Sequence, residues 1–297
     1  MHEKIKIKEK VELVNKLKTK FGLNKVLKVL KINKSSYYEY INRKESKRSQ
    51  FHKEIDQEII KIHEEFYQTY GYPRMKEELN RRGFKVSEQL VYRRMKALKI
   101  SAIHKTKSYR GTNKGNNDDL PNLLNRDFKT TGINKVWVTD ITYIYTINNG
   151  WCYLSSIIDL YTRKVIAYEV DKSMTVELVK KTLKKAVLAY KPKEGIILHS
   201  DRGSQYTSNE FKEYCEELKI KQSFSKKGDP YDNIIIEAFH STIKNEFIYR
   251  IKRLNNLEEL KIAIFKYITF YNRKRLHSSL NYHTPEEWER LYYKIAT

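Results

Sequence analysis

Three acidic residues stand in contexts that are typical of a buried site. Asp140 follows the apolar stretch 136–138, Asp201 follows the stretch 195–198, and 35 residues separate Asp201 from Glu237. Burying a carboxylate costs desolvation free energy unless a cation or hydrogen bonds compensate it. Two strand-borne aspartates and a helix-borne glutamate make an all-oxygen donor set that suits Mg²⁺ or Mn²⁺. The pattern predicts phosphoryl transfer, with these residues as catalytic ligands of two metal ions.

Each acid also has a structural interpretation of its own. Asp140 or Asp201 could cap a strand end, and Glu237 could be a first-turn acid favoured by the helix dipole. The chemical interpretation accounts for all three acids and their spacing together. In it Asp140 bridges two ions, and Asp201 and Glu237 each complete the coordination of one ion. Metal ions held this way can activate an oxygen nucleophile, so no nucleophilic side chain is needed.

The charge of the chain favours a polyanionic partner. Its 297 residues carry a net charge of +23, as expected for a protein that binds DNA. Residues 1–110 hold 29 Lys and Arg against 13 Asp and Glu, and residues 111–297 hold 30 against 23. Genome composition could explain the total but explains the clustering poorly. The two cysteines form no CxxC pair, and no apolar stretch approaches the length of a membrane span. We therefore expect a soluble, cytosolic, reduced protein with no membrane partner.

The N-terminal residues are predicted to be helical. In residues 1–47 an amphipathic pattern breaks at Gly22 and continues from Val26 to Ile32, and Asn33–Ser36 then caps a short helix. This order is typical of a helix-turn-helix or of a plain helical hairpin. Residues 104–130 are polar and basic without apolar periodicity, which predicts a linker.

A second helical DNA-binding unit is predicted at residues 48–103. Pro73 suits a helix start and Ser87 suits an N-cap. Arg93 and Arg94 lie on a basic face that either contacts DNA or is simply solvated.

The remaining sequence predicts an α/β core at residues 131–250 and a helical C-terminal extension at 251–297. Asn148–Gly150 is a hairpin turn signal. The predicted strands and helices are, in order, strands 136–145, 151–159 and 163–170, helix 175–190, strand 195–199, a helix near 208–218 and strand 220–224. Three antiparallel strands followed by helix, strand, helix and strand is the order of the ribonuclease-H-like fold.

These elements carry motifs that are similar to those of a known family. The motifs are Trp137–Tyr143, His199–Tyr206, Tyr231–Asn233 before Glu237, Tyr271–Asn272 with Arg275, His277 and Thr284–Pro285, and, nearer the N-terminus, Tyr70–Arg74 and Val91–Arg93. With them the chain resembles the second-reading-frame transposases of bacterial insertion sequences, DDE enzymes with a retroviral-integrase-like core. Two departures are the bulky Ile234–Ile236 and the Asp229-Pro230 pair.

The resemblance implies DNA recombination and integration. It implies that the element ends and a target DNA are partners, that the protein forms a homo-oligomer on DNA, and that a first-frame product adds further DNA recognition. It also implies that a 3′-hydroxyl freed at one end attacks the same strand near the other end, giving a figure-eight and later a circle.

Several residues near the acids are predicted to contact DNA. His199 precedes Asp201 by two positions and either orients a carboxylate or the scissile phosphate, or packs as a buried histidine. Gln205 and Tyr206 are expected to line the DNA path.

More basic candidates follow later in the chain. Lys244 lies two helical turns after Glu237 and either reaches a phosphate or is solvated. Arg275 and His277 lie in and beside the basic run Arg273–Arg275, which is either a phosphate contact or a charged turn.

Two other functions compete with an active transposase. One is a non-catalytic DNA-binding regulator derived from a transposase, which would have no need of three clustered acids. The other is a structure-selective nuclease of the same fold, which is disfavoured by two helical units ahead of the core.

Overall fold

The computed structural model describes residues 7–43, 45–103, 120–125, 130–226 and 233–296. The basic run Lys105–Arg110 and the Asp229-Pro230 pair lie outside these residues, as does most of the predicted linker. The chain divides into two compact units, Met1–Gln57 and Glu58–Thr297.

The first unit is built from short helices, α1 (Ile7–Phe21), α2 (Leu23–Val29) and α3 (Lys34–Asn42). Gly22 separates α1 from α2 with a φ of +78°, a left-handed conformation that glycine adopts without steric cost. The apolar residues of the three helices share one core, made of Val11, Val14, Val26, Leu27, Ile32 and Tyr37. Helix α4 (Lys47–Glu65) begins in this unit and ends in the second.

The second unit opens with helices that pack against its C-terminal residues. Helix α5 (Tyr72–Arg81) carries its proline in the first turn, as predicted, and α6 (Glu88–Ala97) has Ser87 as its N-cap. The Phe66 ring lies 5.9 Å from the Phe270 ring. The Tyr70 hydroxyl accepts a hydrogen bond from the backbone N–H of Leu276 at 2.8 Å. These buried contacts place the helices in the same unit as the sheet.

One five-stranded sheet forms the centre of the second unit. Its strands are β1 (Val136–Thr146), β2 (Gly150–Asp159), β3 (Val165–Asp171), β4 (Ile197–Ser200) and β5 (Lys221–Phe224), in the spatial order β3-β2-β1-β4-β5. The first three strands are antiparallel, and β4 and β5 run parallel to β1. Buried residues that include Trp137, Leu183, Leu198 and Phe211 form the core beneath the sheet. The predicted α/β class with a ribonuclease-H-like strand order is confirmed.

Helices surround the sheet and complete the unit. They are α7 (Val176–Tyr190), α8 (Ser204–Thr207), α9 (Asn209–Glu217), α10 (Ile234–Glu246), α11 (Leu257–Arg273) and α12 (Pro285–Ala296), with 3-10 turns at Ile248–Arg250 and Ser278–Leu280. Within the described ranges, none of the helices is long and apolar enough to cross a membrane.

The tip of the β1–β2 hairpin is tied to the segment before α11. The backbone N–H groups of Ile147 and Asn148 donate to the carbonyls of Leu254 and Asn255 at 3.0 and 2.7 Å. These two hydrogen bonds therefore hold the tip of the β1–β2 hairpin in place.

Candidate active site

The sheet register places two of the predicted acids side by side. Val138 of β1 pairs with His199 of the parallel strand β4. Extending that register by two residues puts Asp140 next to Asp201, which follows the last residue of β4. One interpretation of the sequence placed Asp140 at a strand end. The structure places it within β1, because this strand continues to Thr146 in its pairing with β2. The two carboxylates therefore lie together at the end of β4, where β1 extends beyond this shorter strand.

The repulsion between the two carboxylates favours a cation at this position. Burial, and then the charge of Asp140, raise the pKa of Asp201 to about 6. Oδ1 of Asp140 accepts from the backbone N–H of Ile141 at 2.8 Å, and Oδ1 of Asp201 accepts from the backbone N–H of Gly203 at 3.0 Å. A Cβ on Gly203 would lie 3.1 Å from Oδ1 of Asp201, so glycine leaves room for this carboxylate. Two neighbouring, partly buried carboxylates repel each other, and either a proton on one of them or a cation between them relieves the repulsion.

His240 joins α10 to the carboxylate pair. Its Nδ1 lies 3.2 Å from Oδ2 of Asp140, and its Nε2 lies 2.7 Å from the hydroxyl of Ser156. The histidine is 5% exposed and fixes the orientation of Asp140 from the side opposite the backbone N–H of Ile141. Sequence reasoning missed this residue, although its position three residues after Glu237 was a usable signal because such residues share a helix face.

The third predicted acid is on the same helix. Glu237 is half-buried in the first turn of α10. In the part of the chain that the structure describes, no three His, Cys, Asp or Glu side chains lie close enough together to hold a metal ion. The structure thus brings Asp140 and Asp201 together and does not bring Glu237 into a three-residue cluster with them.

The charge of Lys244 interacts with that of Asp140, and exposed aromatic rings lie farther along the β1–β2 hairpin. The Nζ of Lys244 is 4.5 Å from the centre of the Tyr143 ring. Burial lowers the pKa of Lys244, and the charge of Asp140 opposes that shift. Tyr143, Tyr145 and Trp151 are each more than half exposed, at 57%, 57% and 53%, and Trp151 packs edge-on against both tyrosines. Exposed rings next to a lysine can stack bases and contact phosphates.

Two residues that were expected at the DNA path belong to the core. Tyr206 is 1% exposed, its hydroxyl lies 3.1 Å from that of Thr139, and burial raises its pKa well above the usual value. His199 is completely buried, and its Nδ1 lies 2.9 Å from the Ser223 hydroxyl, which fits the packed-histidine interpretation. Gln205 remains half-buried and donates to the carbonyl of Met174 at 3.1 Å.

The C-terminal basic candidates are also buried. Arg275 is 5% exposed and donates from Nε and Nη2 to the two carboxylate oxygens of Glu246 at 2.8 and 2.6 Å. His277 is 8% exposed. Arg275 thus pairs with a carboxylate that is distant in sequence. On α6, Arg93 is exposed and Arg94 is half-buried.

Known families match most of the second unit. An integrase core domain matches residues 131–230, another integrase core domain matches residues 218–285, and an HTH-like domain matches residues 51–108.

Curated relatives match nearly the whole chain. An uncharacterized 31 kDa protein of insertion element IS600 from Shigella sonnei is 37% identical, over 90% of this chain and 98% of that protein. The putative transposase InsK for insertion sequence element IS150 from Escherichia coli (strain K12) is 33% identical, over 95% and 99%. The transposase for insertion sequence element IS904 from Lactococcus lactis subsp. lactis (strain IL1403) is 36% identical, over 84% and 99%. A remote structural likeness is the HTLV-2 integrase catalytic core domain in complex with magnesium, with 20% identity, a TM-score of 0.44, and 54% of this chain and 99% of that chain covered.

Proposed function

Because this chain belongs to the family of insertion-sequence transposases and is a polynucleotidyl transferase with an integrase core domain, we propose that it cleaves DNA at the ends of an insertion sequence and joins them by strand transfer. We assign the reaction to Asp140 and Asp201, with Glu237 as the third acid. The supporting observation is the pair of adjacent carboxylates, in which Asp201 has a pKa of about 6.

The donor set fits divalent metal ions. Carboxylate oxygens are the ligands that Mg²⁺ and Mn²⁺ prefer, and an ion between Asp140 and Asp201 would offset their repulsion. Two such ions would activate the attacking hydroxyl and neutralise charge on the transferred phosphoryl group. Glu237 lies one turn before His240, which already contacts Asp140; α10 is therefore the element that would supply the third acid.

The surrounding residues have separate tasks in this proposal. His240 positions Asp140 through the contacts described above. Lys244 binds a DNA phosphate next to the carboxylates, while Tyr143 and Trp151 stack unpaired bases. Arg93 on the HTH-like domain contributes to DNA binding through phosphate contacts.

Assembly and end recognition complete the proposal. The protein acts as a homo-oligomer on DNA, associated with the nucleoid, and a first-frame product supplies further recognition of the element ends.

The reaction needs no covalent protein–DNA intermediate. Water first hydrolyses one strand at the element end, and the freed 3′-hydroxyl then attacks a second phosphodiester with loss of its leaving oxygen. Strand-transfer products should therefore require a free 3′-hydroxyl and vanish with a 3′-deoxy end. A trapped adduct between DNA and a tyrosine or serine would contradict this route.

Substitution of the three acids tests the site. Asp140→Asn, Asp201→Asn and Glu237→Gln should each abolish Mg²⁺- or Mn²⁺-dependent nicking of DNA that carries the element ends, and leave DNA affinity nearly unchanged. Glu216→Gln is the matched control, because Glu216 is an exposed acid on α9. Full cleavage by any of the three variants would remove that residue from the proposed site.

A further inference from the structure

A second cleft lies on the far side of α10 from the carboxylates. Its volume is about 480 Å³. It is lined on α10 by Ile235, Ala238 and Thr242, which face away from Glu237 and His240 because each helical residue turns by about 100°. The cleft and the carboxylate pair are therefore separate sites that share one helix.

Arginine side chains from three segments of the second unit converge on this cleft. Arg74 comes from α5, Arg163 from the turn between β2 and β3, and Arg275 from the residues after α11. Among the described residues, Glu246 is the one carboxylate that lines the cleft. It is already bound by both oxygens to Arg275 and also accepts a hydrogen bond from Tyr267 at 2.7 Å.

Among the residues that the structure describes, the other two guanidinium groups form no ion pair. No hydrogen bond or ion pair of the Arg163 side chain is found within the described residues, and its Nη1 is buried without a partner. The carboxylate of Asp159, whose charge also acts on Arg163, accepts instead from the backbone N–H groups of Asn134, Tyr161 and Thr162. Arg74 lies with its guanidinium carbon 5.9 Å from the centre of the Tyr70 ring. Burial lowers the pKa of both arginines, which shows the desolvation cost that an anion would relieve.

His277 adds an unsatisfied polar group to the same cleft. The side chain is 8% exposed, and its Nε2 is buried without a hydrogen-bond partner. Burial, and then the charges of Arg275, Arg74 and Arg163, hold the pKa of His277 well below its usual value. The imidazole is therefore neutral, and with the proton on Nε2 it can donate to an oxygen acceptor.

We propose that this cleft binds a phosphate group, held by the guanidinium groups of Arg74 and Arg163 and by Nε2 of His277. Planar guanidinium groups match phosphate oxygens in geometry and charge, and a buried charge without a partner is costly. A phosphate would link α5, the β2–β3 turn and the C-terminal segment. This site is independent of the catalytic proposal.

Inorganic phosphate is the first probe. At constant ionic strength, phosphate should raise the melting temperature of the full chain above that in chloride. Arg163→Gln and Arg74→Gln should each weaken phosphate binding at least about tenfold, since each removes a charged hydrogen bond. The control is Arg253→Gln, which removes an equal charge from an exposed position and should leave binding intact.

Stability without phosphate separates a binding role from a structural one. In phosphate-free buffer Arg163→Gln should be as stable as the unsubstituted protein or more so, because an unpaired buried charge is gone. A purely structural Arg163 would make the variant less stable in both buffers. That result, or equal phosphate responses in Arg163→Gln and Arg253→Gln, would overturn the proposal.

Competition identifies the source of the phosphate. In the Asp140→Asn background, duplexes with and without 5′-phosphates compete against bound inorganic phosphate. Displacement by both assigns the site to a backbone phosphate, displacement by the phosphorylated duplex alone assigns it to a DNA end, and displacement by neither assigns it to free phosphate. Phosphate binding that persists in Asp140→Asn keeps this test separate from that of catalysis.

Discussion

Replacing Glu246 by glutamine should destabilise the protein strongly, because it breaks a buried ion pair while the cation stays in place. The side chains of Arg275 and Glu246 are 6% and 12% exposed, so solvent screens their interaction little. Gln keeps the volume of Glu but opposes an NH₂ group to a guanidinium donor. Arg275 would then be a third unpaired guanidinium beside Arg74 and Arg163. Removing one partner of a buried pair costs about 3–5 kcal/mol of unfolding free energy.

Urea denaturation measures this loss directly. With an m-value of about 2.5 kcal/mol/M, the midpoint should fall by about 1–2 M at unchanged m. The double variant Glu246→Gln/Arg275→Met should recover much of the stability, because it removes the unpaired charge as well. A loss below about 1 kcal/mol in the single variant, or a double variant less stable than the single one, would refute the assignment of a buried pair.

The same pair sets a pH dependence. Burial alone would raise the pKa of Glu246, but the charge and hydrogen bonds of Arg275 outweigh burial and hold it below the usual 4.5. A lowered folded-state pKa stabilises the protein above the unfolded pKa, and this contribution is lost as pH falls through the folded value. The stability difference between the unsubstituted protein and Glu246→Gln should therefore be full at neutral pH and shrink below pH 4.5. A difference that stays constant down to acid unfolding would contradict this.

Three further outcomes are expected. His240→Ala should lower the nicking rate about 10–100-fold, as for other residues that orient a ligand, and leave the DNA affinity unchanged. His240→Asn should restore part of the rate, because its amide can still reach Asp140. Equal rates in the two variants would argue against a positioning role. Lys244→Gln should reduce the slope of log affinity against log salt by about 1, whereas the exposed control Lys184→Gln should not; equal slopes would remove Lys244 from the DNA contacts. Residues 1–43 hold 12 Lys and Arg against 4 Asp and Glu, and their deletion leaves α4 whole. This deletion should reduce the slope of log affinity against log salt more than Lys244→Gln does. An unchanged slope would exclude the segment from DNA binding.

The strands could be predicted because their signals are local. The predicted strand 136–145 is observed as Val136–Thr146, and the predicted helix 175–190 as Val176–Tyr190. Apolar stretches and turn residues define these elements wherever they pack. Gly150 ends the hairpin turn with a φ of +66°, a conformation that its sequence context already suggested. The family resemblance drawn from the motifs was confirmed by the curated insertion-sequence relatives.

The surroundings of the site could not be predicted, because burial depends on distant partners. The run Arg273–Arg275 looks uniformly basic, yet Arg273 pairs at the surface with Glu286 while Arg275 is buried against Glu246. Likewise Tyr206 follows Gln205 directly, but α8 turns its ring into the core. The strand pattern therefore drew attention to Asp140 and Asp201, which the register brings together, while the roles of neighbouring side chains required the three-dimensional structure.

The β1–β2 hairpin carries an intrinsic fluorescent probe, Trp151. Trp151 projects from it into solvent, whereas Trp137 is fully buried beneath the sheet. A base stacked on Trp151 would quench its fluorescence, and the emission of Trp137 and of the half-buried Trp288 on α12 would be the background. Because hydrogen bonds hold the hairpin tip, such a signal would report occupancy of this surface rather than motion of the hairpin. Strand binding at the hairpin could thus be timed in a stopped-flow instrument without a dye label.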